Sequence, residues 1–189
     1  MTDTLTAPSP TLNGIDLSAL GEFVEQVKLD PAKGNAGFRA VTRWSGQTRS
    51  ETTIDGYELG GERIDRRFKI VADEPAELLG TNTAPNPQEL LMSALNACMT
   101  VGYVAQASVH GIELERLEIE TTGQLDLRGF LGIDETIPPG YRQLDYTVRI
   151  AGNGTPEQFR EIHEAVKKLS PNFFNLAQPI CMNGRLELV

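Results

Sequence analysis

The chain has 189 residues, of which 40% are hydrophobic and 23% charged, and 17 Lys+Arg against 26 Asp+Glu give a formal net charge of −9. Such a length and mixture fit one soluble domain with a short appendage, able to bury about two-thirds of its extended surface without disulfide or metal staples. The acidic balance opposes nucleic acid as a partner, and two widely spaced cysteines are no disulfide framework but suit a reducing, cytoplasmic setting.

Residues 1 to 13 lack periodicity and are expected as a flexible arm, with residues 14 to 189 as a single domain. Asp16 is a helix cap for Leu17, Leu20, Phe23, Val24 and Val27, whose spacing predicts a helix that packs one stripe on the body. Strands are expected over Phe38 to Trp44, Glu51 to Leu59 and Arg67 to Ala72, an antiparallel meander with turns at Gly46, Gly56 and Gly60-Gly61. Its basic residues, Arg39, Arg43, Arg49, Arg63, Arg66, Arg67 and Lys69, are interleaved with Glu51, Asp55, Glu58, Glu62 and Asp65, the pattern of a solvated strand face.

Asn86-Pro87 opens the most informative segment, since an Asn cap followed by Pro at the first helical position is pre-organised for helix initiation. The helix runs to about His110, where Gly111 supplies the left-handed stop. Its middle turns have almost no polar face, so it belongs in a core or a subunit interface. Ser93, Asn96, Thr100, Gln106 and Ser108 interrupt the apolar run, so no membrane span is expected, and the polar Met1 to Pro10 does not read as a secretory signal.

Two half-buried strands follow, Leu117 to Thr122 and Leu144 to Ile150, each alternating apolar and polar residues. The Gly- and Pro-rich loop between them, Gly123 to Gly140, holds Leu127, Phe130, Leu131 and Ile133 and is expected to cover something or meet a partner. Thr155-Pro156-Glu157-Gln158 is a capping box ahead of an amphipathic helix. Ser170-Pro171 starts a short helix to Leu176, and Pro179 to Leu188 is expected as a final strand. Without sustained βαβ alternation the fold class is α+β.

Several chemistries fall away. Two His, no CxxC and no HExxH argue against a dedicated metal site, and the absence of a P-loop or a strand-borne GxGxxG argues against a nucleotide, so no cofactor is expected. No G-x-S-x-G elbow occurs, and His163 on an amphipathic helix is read as structural. Cys98 remains as a nucleophile. By composition alone it is a small buried hydrophobe; a reactive thiolate three turns into a helix needs a cation from elsewhere, such as an arginine of the meander.

Asn86-Pro87-Gln88-Glu89-Leu90-Leu91 followed by Ser93-Ala94-Leu95-Asn96-Ala97-Cys98 resembles the central helix of the OsmC/Ohr family, and the likeness continues through His110-Gly111-Ile112, Gly123-Gln124-Leu125-Asp126, Gly140 and Ser170-Pro171. The resemblance implies an OsmC-like fold, antiparallel sheets wrapped around two long central helices in an intertwined homodimer, and thiol-dependent reduction of organic hydroperoxides with Cys98 as the peroxidatic thiol. It also implies an activating arginine, for which Gly46-Gln47-Thr48-Arg49 is the nearest match, with Arg43, Arg66 and Arg67 competing. Two departures stand out: Ser170 occupies the position of the resolving cysteine, and Gln88 that of the carboxylate that orients the arginine. Cys181 is left as a substitute resolving thiol or, more simply, a strand cysteine. Three readings stay open: a peroxidase served by an external thiol reductant, a non-catalytic dimer binding a small apolar ligand in an interface pocket, or a purely structural relative without a ligand.

Overall fold

The computed structural model describes residues 11–189. The flexible arm expected over 1 to 13 thus lies, through residue 10, outside the described residues. From residue 11 the chain forms a hairpin of β1 (Thr11–Leu12) and β2 (Ile15–Asp16), whose Asn13-Gly14 turn has both φ angles positive. The fold divides into two compact units, one ending at Leu91 and the other spanning Met92–Val189.

In the first unit α1 (Leu17–Leu29) starts where the Asp16 carboxylate accepts the Ala19 N–H at 3.0 Å, the cap expected there. Its apolar stripe is less covered than expected: no residue of α1 is buried, and Val27 packs on the 3-10 turn at Pro31–Gly34 that follows it. The meander is antiparallel, with β5 (Ser50–Leu59) central: β3 (Ala36–Phe38) and β4 (Val41–Trp44) pair along it, and so does β6 (Glu62–Ala72).

Two expectations are corrected here. The strand expected over Phe38 to Trp44 is two strands, because the β5 register shifts between Ile54 and Gly56 and the neighbouring strand breaks at the same level. Only glycine fits at 56, where a Cβ would lie 2.8 Å from the Ile64 carbonyl oxygen. The third strand starts at Glu62 rather than Arg67, since Gly60 and Gly61 form a two-residue hairpin turn, both with positive φ. The meander's basic residues are strand-face charges: Arg39 and Arg63 meet Asp55, Lys69 meets Glu51, and Arg66 stacks over Tyr57 and Phe68.

The helix α2 (Pro87–Val109) has the ends foreseen for it. Asn86 Oδ1 accepts the Glu89 N–H and the Glu89 carboxylate accepts the Asn86 N–H, a closed capping box. At the other end Ile112 N–H bonds Ala107 C=O and Gly111 N–H bonds Ser108 C=O, a Schellman stop with Gly111 at φ +70°.

In the second unit β7 (Leu114–Gly123) pairs antiparallel with β8 (Leu144–Gly152), and the loop between them contains a single turn, α3 (Leu127–Phe130). α4 (Pro156–Leu169) carries the expected Thr155/Gln158 capping box and is followed by α5 (Pro171–Ala177). The core joins Leu95, Met99, Tyr103 and Ala107, one face of α2, to Ile112 and to Ile162 and Val166 of α4, with the inner residues of β7 and β8 packed against it. Gly102 lets the two helices approach, since a Cβ there would lie 3.3 Å from the Val166 methyls.

By length and composition alone α2 could cross a bilayer. Its polar groups are instead answered within the unit: Asn96 donates to the Ile119 carbonyl and accepts from Thr121, and Thr100 bonds the Asn96 carbonyl. The final strand expected over Pro179 to Leu188 is not formed. A strand exists only with a ladder partner, residues 178–189 have none among the described residues, and Met182, Leu186 and Leu188 are exposed.

Candidate functional site

Cys98 is half-buried on α2, three turns from the helix start, and its sulfur faces the junction of α4 and α5. Ser170 makes that junction. Its N–H bonds the Val166 carbonyl and closes α4, its Oγ accepts the Phe173 N–H at 3.3 Å and opens α5, and its hydroxyl donates to Cys98 Sγ at 3.3 Å. Asn172 Nδ2 donates to the Ala94 carbonyl at 2.8 Å, so the Ser-Pro-Asn turn is fastened to α2 at positions four residues apart, 94 and 98. Ser170 is 4% exposed, which leaves its hydroxyl to the protein rather than to water. A sulfur held this way has one fixed O–H donor directed at it, suited to stabilising negative charge on sulfur or on an oxygen added to it.

Cys181 differs in every respect. It lies outside any strand, correcting the strand cysteine expected, is exposed, and its sulfur makes a long contact of 4.0 Å to Asn183 Oδ1. Both cysteines are free thiols.

Arg49 belongs to the first unit, at the foot of the β4–β5 hairpin, where Arg49 N–H bonds the Gly46 carbonyl and the Trp44 indole N–H bonds the Gln47 carbonyl at 2.7 Å. Its Nη1 donates to Thr83 Oγ1 at 2.7 Å. Gln88 is half-buried in the first turn of α2 and makes no hydrogen bond to Arg49; Glu89 beside it is occupied by the capping box.

Sequence reading overlooked Asp73, fully buried at the end of β6. One of its oxygens accepts from the Thr48 hydroxyl and the Glu74 N–H, both at 2.9 Å. The other accepts the N–H and hydroxyl of Thr81 and of Thr83. These bonds, the Thr81 hydroxyl foremost, hold the Asp73 carboxyl well below its ordinary range despite burial. The signal was diffuse, one Asp and three Thr scattered over residues 48 to 83.

A second polar pair was also missed. Tyr103, 1% exposed, meets His163 Nδ1 through its hydroxyl. Burial pushes the phenol well above its ordinary range, so it stays protonated and its hydroxyl donates to His163 Nδ1, the tautomer with the ring proton on Nε2. Tyr103 and His163, with Val148, Ile150 and Phe159, line a largely apolar groove of about 450 Å³ that Cys98 does not enter.

The fold and the Cys98 site thus define an α+β protein built on a long core helix bearing one thiol. A family model described as OsmC-like protein matches residues 80–183, and the chain belongs to the OsmC-like family. Among solved structures it is similar to an OsmC-like protein from Mycoplasma pneumoniae, with 20% identity, a TM-score of 0.54, and coverage of 78% of this chain and 89% of that one. It is also similar to an OsmC-like protein from Vibrio cholerae, with 15% identity, a TM-score of 0.51 and coverage of 72% and 90%. A third is a proposed osmotic stress induced and detoxification response protein from Psychrobacter arcticus, with 14% identity, a TM-score of 0.54 and coverage of 71% and 84%. Likenesses of this size establish the shared fold. No curated protein matches the chain significantly.

Proposed function

We propose that this chain is a cytoplasmic, homodimeric thiol peroxidase that reduces organic hydroperoxides with Cys98 and draws its electrons from an external thiol. The supporting observation is the 3.3 Å approach of the Ser170 hydroxyl to Cys98 Sγ. In the first step the Cys98 thiolate attacks the distal oxygen of the hydroperoxide; the S–O bond forms, the O–O bond breaks, and the departing alkoxide takes a proton to leave as alcohol. The cation that favours the thiolate is assigned to Arg49 by the family resemblance, with Gln88 a neutral neighbour where relatives carry a carboxylate. Ser170 cannot attack sulfur. A thiol from solution therefore condenses with the sulfenic acid, releasing water and leaving a mixed disulfide, and a second thiol restores Cys98 and departs as the external disulfide.

A second copy of the chain is the partner proposed. In the isolated chain the apolar residues Val101, Phe130, Leu131 and Ile133 stay exposed, as do the alternating residues of 180–188, more surface than a monomer usually leaves to water. Nucleic acid and membrane are not partners in this reading.

Cys98→Ser should abolish hydroperoxide consumption in the presence of a dithiol, while Cys181→Ser should retain most of it, in protein that sediments at twice 20.7 kDa. If both variants are equally inactive while folded, the one-cysteine scheme is wrong. The groove beside Tyr103 and His163 favours a second reading, a non-catalytic dimer binding a small apolar ligand. Mass spectrometry that finds Cys98 unmodified after hydroperoxide treatment would choose that reading.

A further inference from the structure

The family resemblance places a carboxylate beside the activating arginine at a position that here holds Gln88, a neutral side chain without a hydrogen bond to Arg49. The structure gives Arg49 a different support. Its Nη1 bonds the oxygen of the Thr83 hydroxyl at 2.7 Å, and the same hydroxyl lies 3.1 Å from Asp73 Oδ2. A hydroxyl has one proton and two lone pairs. The guanidinium can only donate and the ionised carboxylate can only accept, so both contacts are satisfied when Thr83 gives its proton to Asp73 and receives one from Arg49.

We propose that Asp73 is the positioning residue of Arg49, acting through the Thr83 hydroxyl in place of a carboxylate on α2. The negative charge polarises the Thr83 O–H and makes its oxygen a better acceptor for the guanidinium. The same carboxylate fixes both ends of the arrangement. Its other oxygen holds Thr48, next to Arg49 in the chain, and its bonds to Thr81 and to the Thr83 N–H hold the segment that carries the acceptor. Arg49 is thereby fixed at its backbone through Thr48 and at its guanidinium through Thr83. Arg66, a competing arginine in the sequence, is committed to the rings of Tyr57 and Phe68 instead.

The proposal rests on the peroxidase reading, and in particular on Arg49 as the cation serving Cys98. Its test is a cycle of full-length variants: Thr83→Val, Thr83→Ser, Arg49→Met and the double variant Thr83→Val/Arg49→Met. Each is measured for the second-order rate of Cys98 oxidation by cumene hydroperoxide, for thermal stability, and for the Arg49 side-chain NMR signals.

Thr83→Val should slow oxidation by about tenfold, the size of one lost hydrogen bond to a charged group, and Thr83→Ser should restore it to within about twofold. In the Arg49→Met background Thr83→Val should cost nothing further in rate, although it still lowers the melting temperature. The Arg49 Nη protons, resolved in the parent protein, should average in Thr83→Val and return in Thr83→Ser. A slow Arg49→Met with a Thr83→Val that reacts at the parent rate overturns the positioning role alone, and so does a Thr83→Val deficit that persists unchanged without Arg49. An Arg49→Met that reacts at the parent rate overturns the reading of Arg49 and the proposal with it.

Discussion

Replacing Ser170 by cysteine tests the geometry around Cys98 directly. The Ser170 Oγ lies 3.3 Å from Cys98 Sγ, and a carbon–sulfur bond is longer than the carbon–oxygen bond it replaces, so the new sulfur arrives within about 1 Å of bonding distance. Oxidation should join the two. The loop closed, from residue 98 to 170, is about 73 residues, for which the chain-entropy estimate is about 4 kcal/mol of stabilisation. Against this stands the loss of the α5 cap, because a thiol is a poor acceptor for the Phe173 N–H, at about 1 kcal/mol. Reduced Ser170→Cys should therefore be less stable than the parent by about 1 kcal/mol, and oxidised Ser170→Cys more stable by about 3, a rise of roughly 1–2 M in the urea midpoint. Urea titrations with and without a reductant, with peptide mapping of the oxidised sample, decide the matter. A Cys98 that stays free under mild oxidants, or that pairs with Cys181 instead, would show the α4–α5 junction to be placed wrongly.

Two further predictions concern the buried polar groups. The Asp73 carboxyl is held below its ordinary value of 3.8, so its contribution to stability is complete above that pH and is lost as pH falls through and below it; Asp73→Asn should be less stable at pH 7 and have a flatter acid limb. Trp44, the single tryptophan, sits on the hairpin that Asp73 ties down and reports this by fluorescence; acid limbs that run parallel would refute it. Tyr103→Phe removes the donor that fixes the His163 tautomer and should cost about 1–2 kcal/mol, with the His163 ring nitrogens shifting in NMR toward a mixture of Nδ1–H and Nε2–H; unchanged nitrogen shifts would count against the pair.

What was legible in the sequence is what is determined locally. Asn86-Pro87 and His110-Gly111 bracket α2 because caps and stops act through residues within one turn, and Thr155-Pro156 and Ser170-Pro171 do the same for α4 and α5. The start of β6 was missed because Glu62, Arg63 and Asp65 hide its alternation, although Gly60-Gly61 marked the turn. The segment from Pro179 to Leu188 alternates as a strand should, yet pairing is a property of two segments, and the pattern of one does not supply the other. Asp73 was illegible for a similar reason: its five hydroxyl and amide partners on Thr48, Thr81 and Thr83 come together only when β6, the hairpin and the loop before α2 are folded. Cys98 and Ser170 are 72 positions apart, and only likeness to relatives linked them before their contact was seen.

The serine at 170 has a consequence for where electrons can come from. A cysteine there would end the oxidation of Cys98 internally, by a bond that pulls on the junction of α4 and α5, since residue 170 caps both helices. Serine separates the two tasks. Its backbone N–H closes α4, its hydroxyl oxygen caps α5, and the same hydroxyl still presents a donor to the sulfur. Its oxygen cannot displace hydroxide from a sulfenic acid to form a stable bond, so under the proposed peroxidase scheme an oxidised sulfur would wait for a thiol that diffuses to it. Under the proposed scheme turnover would depend on thiol concentration at a half-buried sulfur, so raising the concentration of a small dithiol should raise the rate in proportion, whereas a bulky protein thiol should be slow.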